Sequence, residues 1–397
     1  MKPSLAWPPC RTDALQRLQA FVPKSGRSYA ALRNYVPEYQ QLQSNESVKP
    51  SPVSRLSPYL RHRILLEHEV ALAVLNAHGP SQGQKFLQEL LWRSYWKGYL
   101  QQRPQIWRDY LTGCEHAQRG LNLEQGELYR RAVQAQTGLT CFDAWASELI
   151  QSGYLHNHAR MWFASIWIFT LRLPWQLGAQ FFLDHLLDGC PASNTLSWRW
   201  VAGLHTQGKH YVARADNIAK YTDGRFAPYG ELNERAQALP LDKAYQSEPV
   251  TFALSEPVSG GKDNEALLLV TEDDLYLQEF PLPWHQIGEV VLVRSDWSRL
   301  SAPVAEFKAS AFEGGATHLS RQLGRPVEVI DANQLTQKII ATGSNRVIHC
   351  QQGVGPALDG VGAPLSQLQQ HGVEIIGQWR DWDRVLWLLE KGAAQTG

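Results

Sequence analysis

The stretch from Ser152 to Trp200 constrains this chain more than any other. Asn157 and Arg160 lie three residues apart, the spacing of neighbours on one helix face. An apolar, aromatic run follows, then a polar turn from Asp188 to Asn194, then Trp198 and Trp200. A carboxylate, amides and a guanidinium set among indoles predict an apolar pocket with a few fixed polar groups, the usual make-up of a large-cofactor site. Each residue alone has a plainer reading. Met161 by itself is more often core than site, and a solitary Trp usually packs.

The 397 residues are enough for two domains. Residues 12–21 have the spacing of a helix start, and 86–99 are helical by period, with Glu89 and Arg93 four apart on one face. Residues 38–52 are a polar, Pro/Ser-rich loop, and 231–262 a linker by composition. After 262 the pattern changes. Apolar runs at Ala266–Val270, Val290–Val293, Val327–Ile330, Val347–His349 and Val373–Ile376 read as strands. Helical segments such as Ala305–Leu323 and Leu335–Ala341 separate them, which predicts a parallel, doubly wound sheet. No G-x-G-x-x-G follows the first strand, so the dinucleotide fingerprint is absent.

No run of eighteen or more uncharged apolar residues predicts a membrane span, and the N-terminus lacks the apolar core of a secretion signal. The five cysteines form no CxxC pair and read as reduced thiols of a cytoplasmic protein without a zinc site. The net charge of zero hides an asymmetry. Residues 1–230 carry 25 basic and 16 acidic side chains, the rest 13 and 22. A basic first domain favours a polyanionic partner; the plainer reading is a charge offset between touching domains.

The blocks Gly153-Tyr154-Leu155-His156-Asn157-His158-Ala159-Arg160-Met161, Pro174-Trp175, Leu187-Asp188-Gly189-Cys190, Asn194 and Trp198-Arg199-Trp200 resemble, in order, the flavin-binding domain of the photolyase and cryptochrome family. Tyr29 to Pro37 resembles the family's Y-x-x-x-RD-x-P, and Val53-Ser54-Arg55-Leu56-Ser57 its T-S-x-L-S phosphate motif. The segment with Glu89, Trp92 and Arg93 resembles W-x-x-E-L-x-WREF, and Thr137-Gly138 with Asp143-Ala144 resembles TG-x-P-x-x-DA. The resemblance covers about residues 10–230. It implies a mostly α-helical FAD-binding domain over 1–230, followed over 263–397 by the Rossmann-like α/β domain. In the family an α/β antenna domain stands in front. Asp274-Leu275-Tyr276-Leu277 faintly resembles its RDLRL motif, which suggests a permuted order or, at even odds, an unrelated domain.

By resemblance the FAD contacts are Tyr29, Val53, Ser54, Arg55, Leu56, Ser57, Glu89, Arg93, Asn157, Arg160, Asp188, Cys190 and Asn194. Cys190 stands where the family has a second Asp, and Val53 where it has Thr. Glu89, Trp92, Asn157, Met161 and Trp200 fall on lesion-cavity positions; Arg33, Trp92, His158 and Trp200 fall on the DNA side, with His158 replacing an Arg. The implied reaction is light-driven splitting of cyclobutane pyrimidine dimers in UV-damaged DNA by an electron from reduced FAD, in a monomer whose antenna pigment is unreadable. Met161 is what cyclobutane-dimer enzymes keep, whereas the (6-4) photolyases read HHxxRH. The alternatives are (6-4)-type repair or a cryptochrome-like photoreceptor without repair. Trp198 and Trp175 match the proximal and middle members of the family's electron-transfer chain. The distal position falls near Asn122, and Trp107, Trp145 or Tyr129 stand as substitutes.

Overall fold

The computed structural model describes residues 7–38, 53–206, 208–241, 248–250, 265–277, 280, 282–380 and 382–383. Nearly all of the loop expected over 38–52, and most of 242–262, lie outside the described residues.

The first part is helical: α1 (Arg11–Phe21), α2 (Arg27–Leu32), α3 (Ser57–Arg61), α4 (Glu67–Gln102), α5 (Gln105–Gly120), α6 (Leu123–Val133), α7 (Thr140–Ser152), α8 (Asn157–Ser165), α9 (Trp175–His185), α10 (Pro191–Ala202) and α11 (Ala215–Tyr221). The breaks follow local chemistry. Gly79, with φ 68° and ahead of Pro80, interrupts α4. Asp143 fixes the start of α7 by accepting from the Thr137 N–H and hydroxyl at 2.9 and 2.7 Å and from the Gly138 N–H at 2.9 Å. That is the physical content of the TG-x-x-x-x-D pattern. Gly153 and Gly203 end α7 and α10 in the left-handed conformation that a helix C-cap favours. Between α8 and α9 five residues, Ile166–Thr170, form a π-helical turn.

Trp145, Trp162, Trp167 and Trp198 are among the largest fully buried side chains, and they knit α7 to α10 into one core. Close approach is needed there. A Cβ at Gly178 of α9 would lie 2.3 Å from the Trp198 ring and 2.9 Å from Trp167.

The second part is a five-stranded parallel sheet, ordered β3-β2-β1-β4-β5. Its strands are β1 (Ala266–Thr271), β2 (Ile287–Arg294), β3 (Glu328–Asp331), β4 (Arg346–Cys350) and β5 (Glu374–Gln378). Helices α12 (Ala302–Leu323), α13 (Leu335–Thr342) and α14 (Pro356–Gln370) cross between them. β1 is buried at every position, as a central strand covered on both faces must be.

The boundary differs from the expectation. Leu232, Ala236 and Leu239 pack on the helical core, and the Asn233 amide donates to the Phe169 carbonyl at 3.2 Å. The polar composition of 231–239 reflects one solvated side, not a free linker. Among the described residues no helix is long and apolar enough to cross a membrane.

Candidate cofactor site

The centre of the site is the ion pair between Arg160 of α8 and Asp188, which precedes α10. Arg160 Nη2 donates to Asp188 Oδ2 at 2.9 Å, and its Nε donates to the Leu155 carbonyl at 2.8 Å. Burial pushes the Asp188 carboxyl up, but the Arg160 charge, hydrogen bonds from Arg160 and Ser57, and the Arg93 charge outweigh it and hold it below its ordinary value. Ser57, Arg93, Arg160 and Asp188, read from four separate segments, therefore meet in space.

Among the described residues Asp188 Oδ1 and Arg93 Nε are buried without a hydrogen-bond partner. Such atoms are costly unless something satisfies them. The unsatisfied acceptor on Asp188, with the Arg93 charge acting on it, fits the polar ring edge of FAD. Arg93 Nη2 donates to the Leu60 carbonyl at 3.2 Å, and its Nε stands 3.5 Å from Glu67. Asn194 in α10 is buried and donates its amide to the Ala179 carbonyl of α9 at 2.8 Å, which fixes its orientation. Cys190 caps α10. Burial raises its thiol, but Arg93, Arg61, the Ser193 N–H and Lys97 lower it further, so it lies below its ordinary value. The Asp-to-Cys change thus puts at that position a thiol that the surrounding cations make easier to ionise. On the phosphate motif, Ser54 Oγ accepts from the Leu56 N–H at 3.3 Å, Arg55 holds φ 53°, Val53 is half-buried and Leu56 is core.

The mouth is organised by Arg33 and Asn34. Arg33 pairs with Glu89 of α4, while the Asn34 carbonyl meets His158 Nδ1 of α8 at 2.9 Å. Tyr29, buried against Phe21 and Phe86, lies behind this pair. Asn157 is exposed at the first position of α8, and Met161 stands one turn on, partly buried. Trp92 is 50% exposed, with its ring stacked on Trp96 at 5.6 Å and edge-on to Tyr95 at 5.3 Å. Trp200 stacks on Tyr211 at 5.8 Å.

Arg33 is paired with Glu89, so its guanidinium can reach a phosphate only by leaving that carboxylate. His158 does not replace the cation of the family's Arg. Its ring stacks on Trp162 at 4.1 Å, and burial lowers its pKa, so it is neutral at neutral pH.

Trp198 is buried 6.3 Å from Trp167, whose Nε1 donates to the Pro174 carbonyl beside Trp175. From Trp175 the rings continue to Tyr110 at 5.7 Å and on to Trp107 at 5.2 Å. Sequence reasoning missed Glu148 of α7. Burial pushes this carboxyl up to about 7, against the opposing charges of Arg225, Arg55 and Arg160. Its spacing in α7 is that of the apolar face, and this was the available signal. Among the described residues no cluster of potential metal ligands occurs.

Residues 86–231 match the family model described as the FAD binding domain of DNA photolyase. A deoxyribodipyrimidine photo-lyase of Streptomyces griseus is 33% identical over 42% of this chain and 38% of its own length. The Vibrio cholerae protein of the same name is 28% identical over 50% and 43%. The chain thus spans about two-fifths of the length of the curated relatives it matches. Among solved structures, a class III photolyase from Agrobacterium tumefaciens overlaps 56% of this chain and 45% of its own, at 26% identity and TM-score 0.45.

Proposed function

We propose that this chain, whose helical half carries the FAD-binding domain of the DNA photolyase family, splits cyclobutane pyrimidine dimers in UV-damaged DNA under blue light. The observation that carries the reading is the Arg160–Asp188 pair with Ser57 and Arg93 around it and one buried Asp188 oxygen without a hydrogen-bond partner. Reduced FAD, when bound and excited, supplies the electron that opens the cyclobutane ring and takes it back afterwards.

The chain's own residues do the rest. Arg160 and Arg93 place positive charge beside the cofactor and favour its reduced, anionic form. Trp92 offers an exposed face to an extruded base, and Asn157 and Met161 line the same mouth. Glu89 hydrogen-bonds the dimer bases once Arg33 swings from it to a DNA phosphate. In this exchange Arg33 closes the mouth without DNA and grips the backbone with it.

The same pair favours a second reading. A Glu89 that never leaves Arg33 would suit a cryptochrome-like photoreceptor, with light sensed and no lesion repaired. The test is direct. Chemically reduced protein is mixed with an oligonucleotide holding one cyclobutane dimer and illuminated with blue light. Restored thymines support repair; a reduced, FAD-loaded protein that leaves every dimer intact hands the case to the photoreceptor reading.

A further inference from the structure

We infer that Cys190 is a modification site, a nucleophile at the seam between the two parts that hydrogen peroxide oxidises to the sulfenic acid. A pocket of about 20 Å³ opens on it. That volume holds one molecule little larger than water. The helical part lines the pocket with Cys190, Pro191, Arg61, Arg93 and Lys97; the α/β part lines it with Asp273 and with residues 353–357 after β4. Two helix starts meet there. Cys190 is the N-cap of the 12-residue α10, and Gly355 that of the 15-residue α14. A Cβ at Gly355 would lie 2.5 Å from Pro191, so the two ends abut and both bring the positive end of a helix dipole to the pocket.

The side chains around the thiol are fixed. Arg61 Nε donates to the Gly189 carbonyl at 3.0 Å and its Nη1 to Asp273 at 2.5 Å, which holds the guanidinium beside Cys190. Lys97 lies one turn past Arg93 on α4, and its Cε stands 3.9 Å from where a Cβ at Gly353 would be. Its ammonium is enclosed among Arg63, Glu67, Arg93, Asp273 and Asp383, and it makes no hydrogen bond to any of the described residues. Burial alone would raise the Cys190 thiol, but Arg93, Arg61, the Ser193 N–H and Lys97 bring it below its ordinary value. The other four cysteines are all raised, Cys114 to about 11 and Cys141 to about 12. The thiolate is the form that attacks, so the seam selects one cysteine of five. In the step, the Cys190 thiolate attacks one peroxide oxygen. The S–O bond forms as the O–O bond breaks, and the leaving hydroxide takes a proton from Lys97 and departs as water. Sulfur loses two electrons, the peroxide gains them, and Lys97 recovers its proton from solvent.

The reaction needs neither light nor a lesion, so its failure and the failure of the repair reading are distinguishable. The whole protein as purified is treated in the dark with hydrogen peroxide and dimedone, then digested and read by mass spectrometry. The sulfenic acid adduct is expected on Cys190 first, at least about tenfold faster than on Cys10, Cys114, Cys141 or Cys350. tert-Butyl hydroperoxide, too bulky for the pocket, should label Cys190 at least about tenfold more slowly than hydrogen peroxide does. Lys97→Gln should slow the hydrogen peroxide reaction severalfold. It should also remove the fall in rate that the natural protein shows at alkaline pH, where Lys97 gives up its proton. An adduct that appears first on another cysteine, equal rates with both peroxides, or a pH profile unchanged by Lys97→Gln overturns the inference. If Lys97→Gln fails to fold, the choice of cysteine and the choice of peroxide in the natural protein decide it.

Discussion

His156 shows how one residue joins the site to the stability of the molecule. It caps α8, with Nδ1 accepting from the His158 N–H at 3.1 Å, and its Nε2 is buried without a hydrogen-bond partner among the described residues. Burial first, then His158 and Arg160, lowers its pKa to about 3; His62, at the domain junction, is lowered to about 3 by burial, Arg61 and Lys308. A histidine kept neutral in the fold binds a proton only after unfolding. Its stabilising effect is therefore complete above the unfolded value near 6.5 and drains away as pH falls toward 3. Each such histidine adds a slope of about 1.4 kcal/mol per pH unit within that window. Urea unfolding of His156→Gln at pH 6 and pH 4 is expected to show a weaker fold overall but a slope smaller by about that amount. An unchanged slope would place the acid sensitivity elsewhere. At the mouth, Glu89→Ala is expected to lower repair severalfold or more while FAD content is kept. A buried hydrogen bond to a group gaining negative charge is worth about 1.5–3 kcal/mol. Quantum yield of dimer splitting beside the flavin-to-protein absorbance ratio checks it.

At the scale of elements, the chain from Trp198 past Trp167 and Trp175 to Tyr110 and Trp107 suggests which ring stands in for the absent distal tryptophan. Trp107 is buried, but its Nε1 donates to Asp359 of α14 at 2.7 Å, a carboxylate able to take the indole proton. Trp145 stacks on Trp162 instead, and Tyr129 meets Trp167 edge-on at 6.0 Å. Trp107→Phe is expected to slow photoreduction of oxidised FAD and leave repair by chemically reduced protein intact; Trp145→Phe should do neither. Gly178→Ala tests the core beneath, where overpacking against Trp198 should cost about 1–3 kcal/mol in urea unfolding. Much of this was legible in the sequence. Period alone predicts the strand runs and the helices over 12–21 and 86–99, because each buries one continuous face. Arg160 and Asp188 follow from their motif blocks. What stayed hidden needed long-range packing: the Arg33–Glu89 pair joins residues 56 apart, and Trp107–Asp359 spans 252. His158 reads as a surface group in its motif, yet the neighbouring Trp162 ring draws it inward.

Across the whole molecule, the two parts are locked through one ionic junction. Open parallel sheets bind ligands beyond the carboxyl ends of their strands, where the strand order reverses. Here that ground, past β1, is the acidic turn Glu272-Asp273-Asp274, and the helical part fills it with Arg61-His62-Arg63. Arg61 donates to Asp273 at 2.5 Å, and His62 Nδ1 meets the Glu272 carbonyl at 2.7 Å. Arg63 reaches Asp274 at 3.0 Å and both oxygens of Asp383 at 2.7 and 2.6 Å. Arg380 completes the cluster on Asp274 at 2.6 and 2.7 Å. The charge offset between the two halves is thus spent partly on each other. Removing one partner of such a buried network strands the rest and costs about 3–5 kcal/mol. Arg63 follows directly on α3, which begins at the Ser57 of the phosphate motif, so the junction also braces the cofactor seat. Arg63→Met is expected to split one unfolding transition into two, followed separately by near-UV absorbance of the tryptophan-rich helical part and by circular dichroism, and to loosen FAD. If the variant still unfolds in one step and retains FAD as wild type does, the α/β part is a passenger and does not brace the flavin seat.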